Sequence, residues 1–151
     1  MESESWRPSC FAENQFLRLD ALANNTSIVD SANKSMIQKL KTVFCTKATG
    51  PYVMVNVFAI LLANSIPTRC VVNVTSGAGS ISLRLDPNNS FYKTKHDQYR
   101  VSKTALNMVT ACQITEYHPR GRKVSMYCLG WTESNLSPAN KVANGAKVQD
   151  L

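Results

Sequence analysis

The stretch RCVVNVTS, residues 69–76, decides the fold of this chain. It is a short apolar run that ends in turn residues, which is typical of a strand buried on both faces of a parallel sheet. Two further segments share this pattern, LDALAN at residues 19–24 and RKVSMYCLG at residues 122–130. We therefore predict three parallel strands, near residues 19–24, 69–76 and 122–128.

Two helical segments separate these strands, and we predict them over about residues 37–64 and 98–117. We place Asp97 as the N-cap of the second helix. In that helix the apolar residues at helical spacing form one stripe, which consists of Val101, Ala105, Met108, Val109 and Cys112. Strand, helix, strand, helix, strand is a βαβαβ unit, and its right-handed crossovers predict an α/β fold with a parallel sheet.

The composition indicates one folded domain over residues 1–151, with an irregular segment at 1–15 and a loose C-terminal segment at 139–151. The hydrophobic fraction of 44% and the charged fraction of 18% exclude a disordered chain. Five scattered cysteines without CxxC spacing, and two histidines, argue against a zinc site. We expect the cysteines to be buried thiols in a reducing compartment.

Charge and hydropathy limit the partners of the chain. The start MESESWRPSC is acidic and polar, unlike a signal peptide, and the longest apolar run, residues 52–63, is too short to cross a bilayer. These features predict a cytoplasmic protein without a membrane partner. The net charge is +7, but the basic residues are spread as singles and pairs, whereas a nucleic-acid reader usually concentrates them on one face.

A tyrosine and a lysine stand four residues apart in YRVSKTALNM, residues 99–108. On a helix Tyr99 and Lys103 share a face, and an ammonium beside a phenol lowers the pKa of that phenol. Ser76 ends the central strand in NVTSGAGS, at the sheet edge where α/β folds bind ligands. An exposed tyrosine packed on a lysine stem would explain the pair alone, but Ser76 favours a catalytic site.

Five stretches along residues 16–150 carry a resemblance to a known family. They are LDALANNTSI, CTKATGPYVMVNVFAILL, VVNVTSGAGSI, YRVSKTALNM and CLGWTESNL. In this order the chain resembles the short-chain dehydrogenases/reductases. The resemblance implies that the predicted βαβαβ core is a partial Rossmann-like, doubly wound sheet that corresponds to strands four to six of the family fold. The resemblance implies hydride transfer between NAD or NADP and a small carbonyl or alcohol substrate.

The resemblance also assigns roles to residues. It implies that Tyr99 donates or accepts the substrate proton, that Ser76 hydrogen-bonds the substrate oxygen, and that Lys103 lowers the Tyr99 pKa and holds the nicotinamide ribose. Acid–base help of this kind contributes about 10²–10⁴-fold in rate. Further cofactor-binding positions implied by the resemblance are Asn25, Lys47, Gly130, Thr132 and Ser134.

The chain departs from the family pattern at several positions. Lys47 stands where the family has a catalytic asparagine, and Leu129 stands where it usually has proline. Pro51 has no N–H to offer the Lys47 carbonyl, so we hypothesise that this carbonyl holds a water that relays protons to Lys103. Gly50 is the first glycine, so the sequence contains no glycine-rich turn for the cofactor pyrophosphate.

Three functions follow from these observations. The first is an NAD(P)-dependent oxidoreductase with Tyr99 as proton donor or acceptor. The second is a non-catalytic relative that acts by association, as a homo-oligomer or paired with an intact relative, since the family commonly dimerises through the two large helices kept here. The third and weakest is a basic nucleic-acid-binding module. Because the pyrophosphate turn is missing, we expect little or no turnover with either nicotinamide cofactor from these 151 residues alone.

Overall fold

The computed structural model describes residues 18–26, 28, 34–65, 69–89, 92–93 and 95–130. The predicted segments 1–15 and 139–151 lie outside the described residues. The elements in chain order are β1 (Ala21–Asn24), α1 (Met36–Phe44), a π-helical turn (Cys45–Thr49), α2 (Gly50–Val57), α3 (Ala59–Ala63), β2 (Arg69–Thr75), a 3₁₀ turn (Gly77–Gly79), α4 (Ile81–Leu85), α5 (Asp97–Tyr117), a 3₁₀ turn (His118–Arg120) and β3 (Arg122–Cys128).

The three strands form one parallel sheet in the order β1-β2-β3, with β2 in the centre. This confirms the predicted α/β class and its parallel sheet. Two boundaries differ from the prediction for local reasons. Leu19 gives its N–H to the Leu61 carbonyl of α3 at 3.0 Å, so β1 begins later. Ser76 leaves β2 because its hydroxyl caps the following turn by accepting the Ala78 N–H at 3.2 Å.

The helical region predicted as one element over residues 37–64 is three helices. Pro51 lacks the N–H that an α-helix needs, and directly before it the chain forms a π-helical turn, in which the Gly50 N–H reaches the Cys45 carbonyl. A second break lies at Phe58, between α2 and α3, and nothing in the neighbouring sequence accounts for it. The start of α1 is well specified, because Ser35 and Gln38 form a capping box.

The face of α5 that packs inward is not the predicted apolar stripe. Val101 is 49% exposed and Met108 is 66% exposed. The buried residues of α5 are instead Ser102, Lys103, Leu106, Thr110, Gln113 and Tyr117. The predicted helix is present, but its polar face packs inward because these side chains find hydrogen-bond partners in the protein, which removes the cost of burying them.

The predicted N-cap of α5 is also wrong. His96 occupies the cap position without a side-chain hydrogen bond, and Asp97 is the first residue of the helix. In that first turn the Asp97 carboxylate complements the helix dipole. It also lies 3.7 Å from Arg84 Nη2, so it forms an ion pair with α4.

The helices cover one face of the sheet, where α5 packs on β2 and β3 and also contacts α1, the π-helical turn and α2. The core of this layer consists of Val55, Leu62, Val71 and Tyr117. On the opposite face Tyr127 of β3 is 56% exposed. Within the described ranges, no helix combines the length and the apolar character that a membrane span needs.

The expectation of buried thiols is wrong for the four described cysteines. All four are free, but Cys45, Cys112 and Cys128 are exposed and Cys70 is partly exposed. Among the described residues, no three His, Cys, Asp or Glu side chains lie together as a metal site would require.

Candidate active site

Ser76 lies where the central strand passes into a tight turn. Its backbone is extended, and its side chain caps the 3₁₀ turn Gly77–Gly79. Because the strand runs straight into this cap, the Ser76 side chain stands at the carboxyl edge of the sheet. This is the edge where open α/β sheets bind ligands.

The 3₁₀ turn after Ser76 packs closely against α5. The Gly79 carbonyl accepts hydrogen bonds from Thr104 Oγ1 at 3.0 Å and from Asn107 Nδ2 at 3.3 Å. A Cβ atom on Gly79 would lie only 2.7 Å from the backbone carbon of Lys103. The absence of a side chain at Gly79 therefore allows the turn to touch the helix at the residue that carries the candidate catalytic amine.

Tyr99 and Lys103 lie one turn apart on α5 and face this edge. Lys103 Nζ donates to the Val74 carbonyl of β2 at 2.7 Å and lies 5.8 Å from the centroid of the Tyr99 ring. The side chains of Tyr99 and Ser76 are hydrogen-bonded. The structure thus brings Ser76, Tyr99 and Lys103 together at the end of the central strand.

A second lysine completes the cluster. Lys47 belongs to the π-helical turn, is 1% exposed, and places Nζ 4.1 Å from the centroid of the Tyr99 ring. Its ammonium makes no hydrogen bond to any residue that the structure describes. Two lysines therefore lie near one tyrosine ring. They differ in their hydrogen bonds, since Lys103 Nζ donates to a backbone carbonyl and Lys47 Nζ has no partner among the described residues.

Burial controls the protonation of the cluster. It lowers the pKa of Lys47 to about 7, with the positive charge of Lys103 as the second cause. Burial also lowers the pKa of Lys103, which Cys128 partly opposes. The pKa of Tyr99 is raised, because burial outweighs its hydrogen bond with Ser76, and Cys128 raises the pKa further.

This raised pKa differs from the lowering that the resemblance led us to expect for Tyr99. The Lys103 ammonium donates its hydrogen bond to the Val74 carbonyl. Desolvation of the phenol, which raises the pKa of Tyr99, has a larger effect than the hydrogen bond with Ser76, which lowers it. In this structure the neutral phenol is therefore the favoured form, and the group of the cluster with a pKa near neutrality is Lys47.

The other predicted cofactor positions are more dispersed. Asn25 directly follows β1 and is exposed. Gly130 follows β3, is exposed, and has a φ of 71°, a left-handed conformation that favours glycine. Since parallel strands end at one edge of their sheet, Asn25 and Gly130 lie along the same edge as Ser76. Thr132 and Ser134 lie outside the described residues.

Several residues that support this site carry no recognisable sequence motif. The side chains of Asn73, Thr110 and Gln113 form a buried hydrogen-bond network beneath the cluster. Asn107 lies one turn after Lys103 and contacts both the Gly79 carbonyl and the Thr75 hydroxyl. The spacing of Lys103 and Asn107 on one helix face was a signal that could have pointed to Asn107.

Comparisons with known proteins give the family. A family model described as short chain dehydrogenase matches residues 9–144. The chain belongs to the short-chain dehydrogenase family. A curated relative, the short-chain dehydrogenase anuI of Penicillium roqueforti, is 34% identical over 132 residues, which cover 83% of this chain and 52% of the relative. The chain thus spans about half the length of this curated short-chain dehydrogenase.

Solved structures agree with this assignment at the level of the fold. An NADPH-bound carbonyl reductase from chicken fatty liver superposes with a TM-score of 0.68 at 24% identity, over 88% of this chain and 51% of that protein. A short-chain dehydrogenase/reductase family oxidoreductase from Brucella ovis, in complex with a partially ordered NAD, gives 0.60 at 26% identity, over 74% of this chain and 48% of that protein. The predicted family resemblance is confirmed.

Proposed function

We propose that the chain carries the proton-transfer half of an NAD(P)-dependent oxidoreductase that interconverts a carbonyl and an alcohol. The observation that supports this best is the cluster at the end of β2, where Ser76 is hydrogen-bonded to Tyr99 and Lys103 lies on the next turn of the same helix. Two similar solved structures contain NADPH and NAD, so both cofactors are candidates for this chain.

In this proposal each residue of the cluster has one task. The Tyr99 hydroxyl gives its proton to the substrate oxygen during reduction, and the Tyr99 phenolate accepts the proton of the alcohol during oxidation. The Ser76 hydroxyl, already a partner of Tyr99, donates a hydrogen bond to the same substrate oxygen. The raised pKa of Tyr99 keeps the phenol protonated at neutral pH, so its proton is present when the substrate oxygen needs it. A phenol with a raised pKa is a weaker acid, so the charge that develops on Tyr99 needs a positive neighbour.

The donors at this edge also suit a nicotinamide ribose. The Lys103 ammonium is a hydrogen-bond donor to the hydroxyl oxygens of a sugar, and the Tyr99 oxygen can accept from a sugar hydroxyl while its own proton faces the substrate. Asn25, Gly130, Thr132 and Ser134 are proposed to complete the cofactor contacts, whereas Lys47, at 1% exposure, faces the Tyr99 ring instead. When bound, the nicotinamide supplies or accepts the hydride, while the residues of this chain handle the proton.

The test is carbonyl reduction by the purified 151-residue chain at saturating NADPH or NADH, with an aromatic aldehyde as the probe. We expect slow, aldehyde-dependent oxidation of the cofactor, because no glycine-rich turn holds the pyrophosphate. Tyr99→Phe removes the only proton that the phenol can give and should lower the rate by about 10²-fold or more.

Tyr52→Phe is the matched control, because Tyr52 lies on α2 and is 46% exposed. It should retain the rate of the unchanged chain. If Tyr99→Phe and Tyr52→Phe reduce the aldehyde equally well, or if the unchanged chain shows no cofactor-dependent reduction at all, the enzymatic proposal fails.

A second candidate function is association with another copy or with an intact relative. It is favoured by the outward stripe of α5, where Val101 and Met108 are exposed. Beside this stripe lies an open cavity of about 590 Å³, walled mainly by apolar side chains that include Phe44, Ile81 and Leu85. Exposed apolar surfaces of this kind commonly mark protein interfaces.

A further inference from the structure

Lys47 is almost completely buried, which is unusual for a lysine side chain. Its side chain is 1% exposed, and Nζ makes no hydrogen bond to the described part of the chain. A buried ammonium without hydrogen bonds is costly, so an apolar residue would be the more stable occupant of the same space. The contact that Nζ does make is with the face of the Tyr99 ring, 4.1 Å from the centroid.

This contact is specific in its geometry. A cation over the face of an aromatic ring is attracted by the negative charge of the π-system, and the attraction grows when both groups are desolvated. Lys103 lies farther from the same centroid, at 5.8 Å, and gives its hydrogen bond to the Val74 carbonyl. The two lysines thus make different contacts: Lys103 is hydrogen-bonded to the sheet, and Lys47 lies over the face of the Tyr99 ring.

The charged and titratable groups around this contact come from three elements. Tyr99 and Lys103 come from α5, and Cys128 at the end of β3 interacts electrostatically with both of them. Cys45 lies on the same π-helical turn as Lys47, and His96 caps the helix that carries Tyr99. Among the residues that the structure describes, no carboxylate shifts the pKa values of Lys47, Lys103 and Tyr99.

We propose that Lys47 is a positioning residue for Tyr99, which holds the tyrosine ring through a cation–π contact and supplies a positive charge to the phenolate that forms when Tyr99 gives up its proton. This inference deepens the proposed function and rests on it. In reduction the O–H bond of Tyr99 breaks, a new O–H bond forms on the substrate oxygen, and the negative charge remains on the tyrosine ring under Nζ.

The proposal has a consequence for pH. Lys47 has a pKa of about 7 and therefore loses its proton near neutrality, while the pKa of Tyr99 is raised. Below that pH the cation–π contact is formed, and above it a neutral amine faces the ring. The ring of Tyr99 should therefore report a titration that belongs to Lys47.

The test follows the Tyr99 ring by NMR in the full chain labelled with ¹³C-tyrosine, with Tyr99→Phe used to assign the signal. Between pH 5 and pH 9 we expect one step near pH 7 in the unchanged chain. The step should disappear in Lys47→Met, which has no charge, and in Lys47→Arg, whose charge is constant. His96→Gln is the control for the nearby histidine and should keep the step.

A second measurement uses the ionisation of the phenol at alkaline pH. In the unchanged chain Lys47 is neutral by then, whereas the guanidinium of Lys47→Arg remains charged over the Tyr99 ring. Lys47→Arg should therefore increase the acid dissociation constant of Tyr99 at least tenfold, and Lys47→Met should not increase it. A merely space-filling role for Lys47 would produce neither this increase nor the step near pH 7.

Two results would overturn the proposal. One is the absence of a step near pH 7 in the unchanged chain, and the other is a step that survives in Lys47→Arg. Neither measurement needs cofactor or substrate, so its failure is separate from a failure of the proposed function. Loss of aldehyde reduction in every variant, together with an intact Lys47 titration, would reject the enzyme and keep the contact.

Discussion

At the scale of single residues, Gly79 determines how closely the Ser76 turn approaches α5. A Cβ at this position would meet the Lys103 backbone at 2.7 Å and Lys103 Cβ at 3.0 Å. Backbone atoms cannot move aside as a flexible side chain can, so the turn would have to shift away from the helix. Because Ser76 opens this turn, the distance from Ser76 to Tyr99 depends on a glycine that has no chemistry of its own.

We predict that Gly79→Ala destabilises the chain by about 1–3 kcal/mol, as overpacking of a tight contact does. Gly77→Ala is the matched control in the same turn, because its Cβ would meet nothing closer than Leu83 Cδ1 at 3.8 Å. It should change the free energy of unfolding by about 0.5 kcal/mol or less. Urea unfolding of both variants makes the comparison, and equal stability of the two would contradict the close contact.

At the scale of the elements, one buried amide joins the sheet to the helices. Asn73 of β2 accepts from Asn24 Nδ2 of β1 at 2.8 Å, and it donates to Gln113 Oε1 at 2.8 Å and to Thr110 Oγ1 at 2.9 Å on α5. Gln113 Nε2 then reaches the Pro51 carbonyl at the start of α2. This network explains why a polar face of α5 is buried.

We predict that Asn73→Ala costs about 2–4 kcal/mol, because it leaves buried polar atoms of Gln113 and Thr110 without their partner. Asn88→Ala, at an exposed position before α5, should stay within about 0.5 kcal/mol of the unchanged chain. Thermal unfolding followed by circular dichroism measures both. A small loss in Asn73→Ala would show that the network contributes little to the packing of α5 on the sheet.

At the scale of the whole molecule, the described helices cover one face of the sheet and leave an apolar surface of their own. The outward stripe of α5 includes Val101, 49% exposed, and Met108, 66% exposed, beside the cavity that Phe44 of α1 also lines. An apolar surface of this kind is stabilised when a second chain removes it from water. Association through the helical layer is the expected result.

We predict that the purified chain self-associates and that Met108→Glu weakens this association at least tenfold, because a carboxylate would have to be desolvated at the contact. Ser125→Glu is the control with the same added charge, since Ser125 is exposed on β3. Sedimentation velocity over a range of concentrations measures both. A monomeric unchanged chain, or equal effects of the two substitutions, would argue against the helical surface.

The sequence by itself determined the order of the elements, the parallel sheet and the family, because these depend on local patterns. The apolar run at residues 69–76, the helical spacing of Tyr99 and Lys103 and the ordered motifs are all readable without tertiary contacts. The same local logic explains why Pro51 interrupts the first helical region.

Only the tertiary structure decided which face of α5 is buried and which of the two lysines lies closer to the Tyr99 ring. Apolar periodicity does not identify the buried face of α5, because Thr110 and Gln113 find a partner on a strand 37 to 40 residues away in the sequence. The pKa of Tyr99 is raised and that of Lys47 falls to about 7 because both side chains are desolvated. Desolvation depends on everything that packs around a group, and for this reason no local motif predicts it.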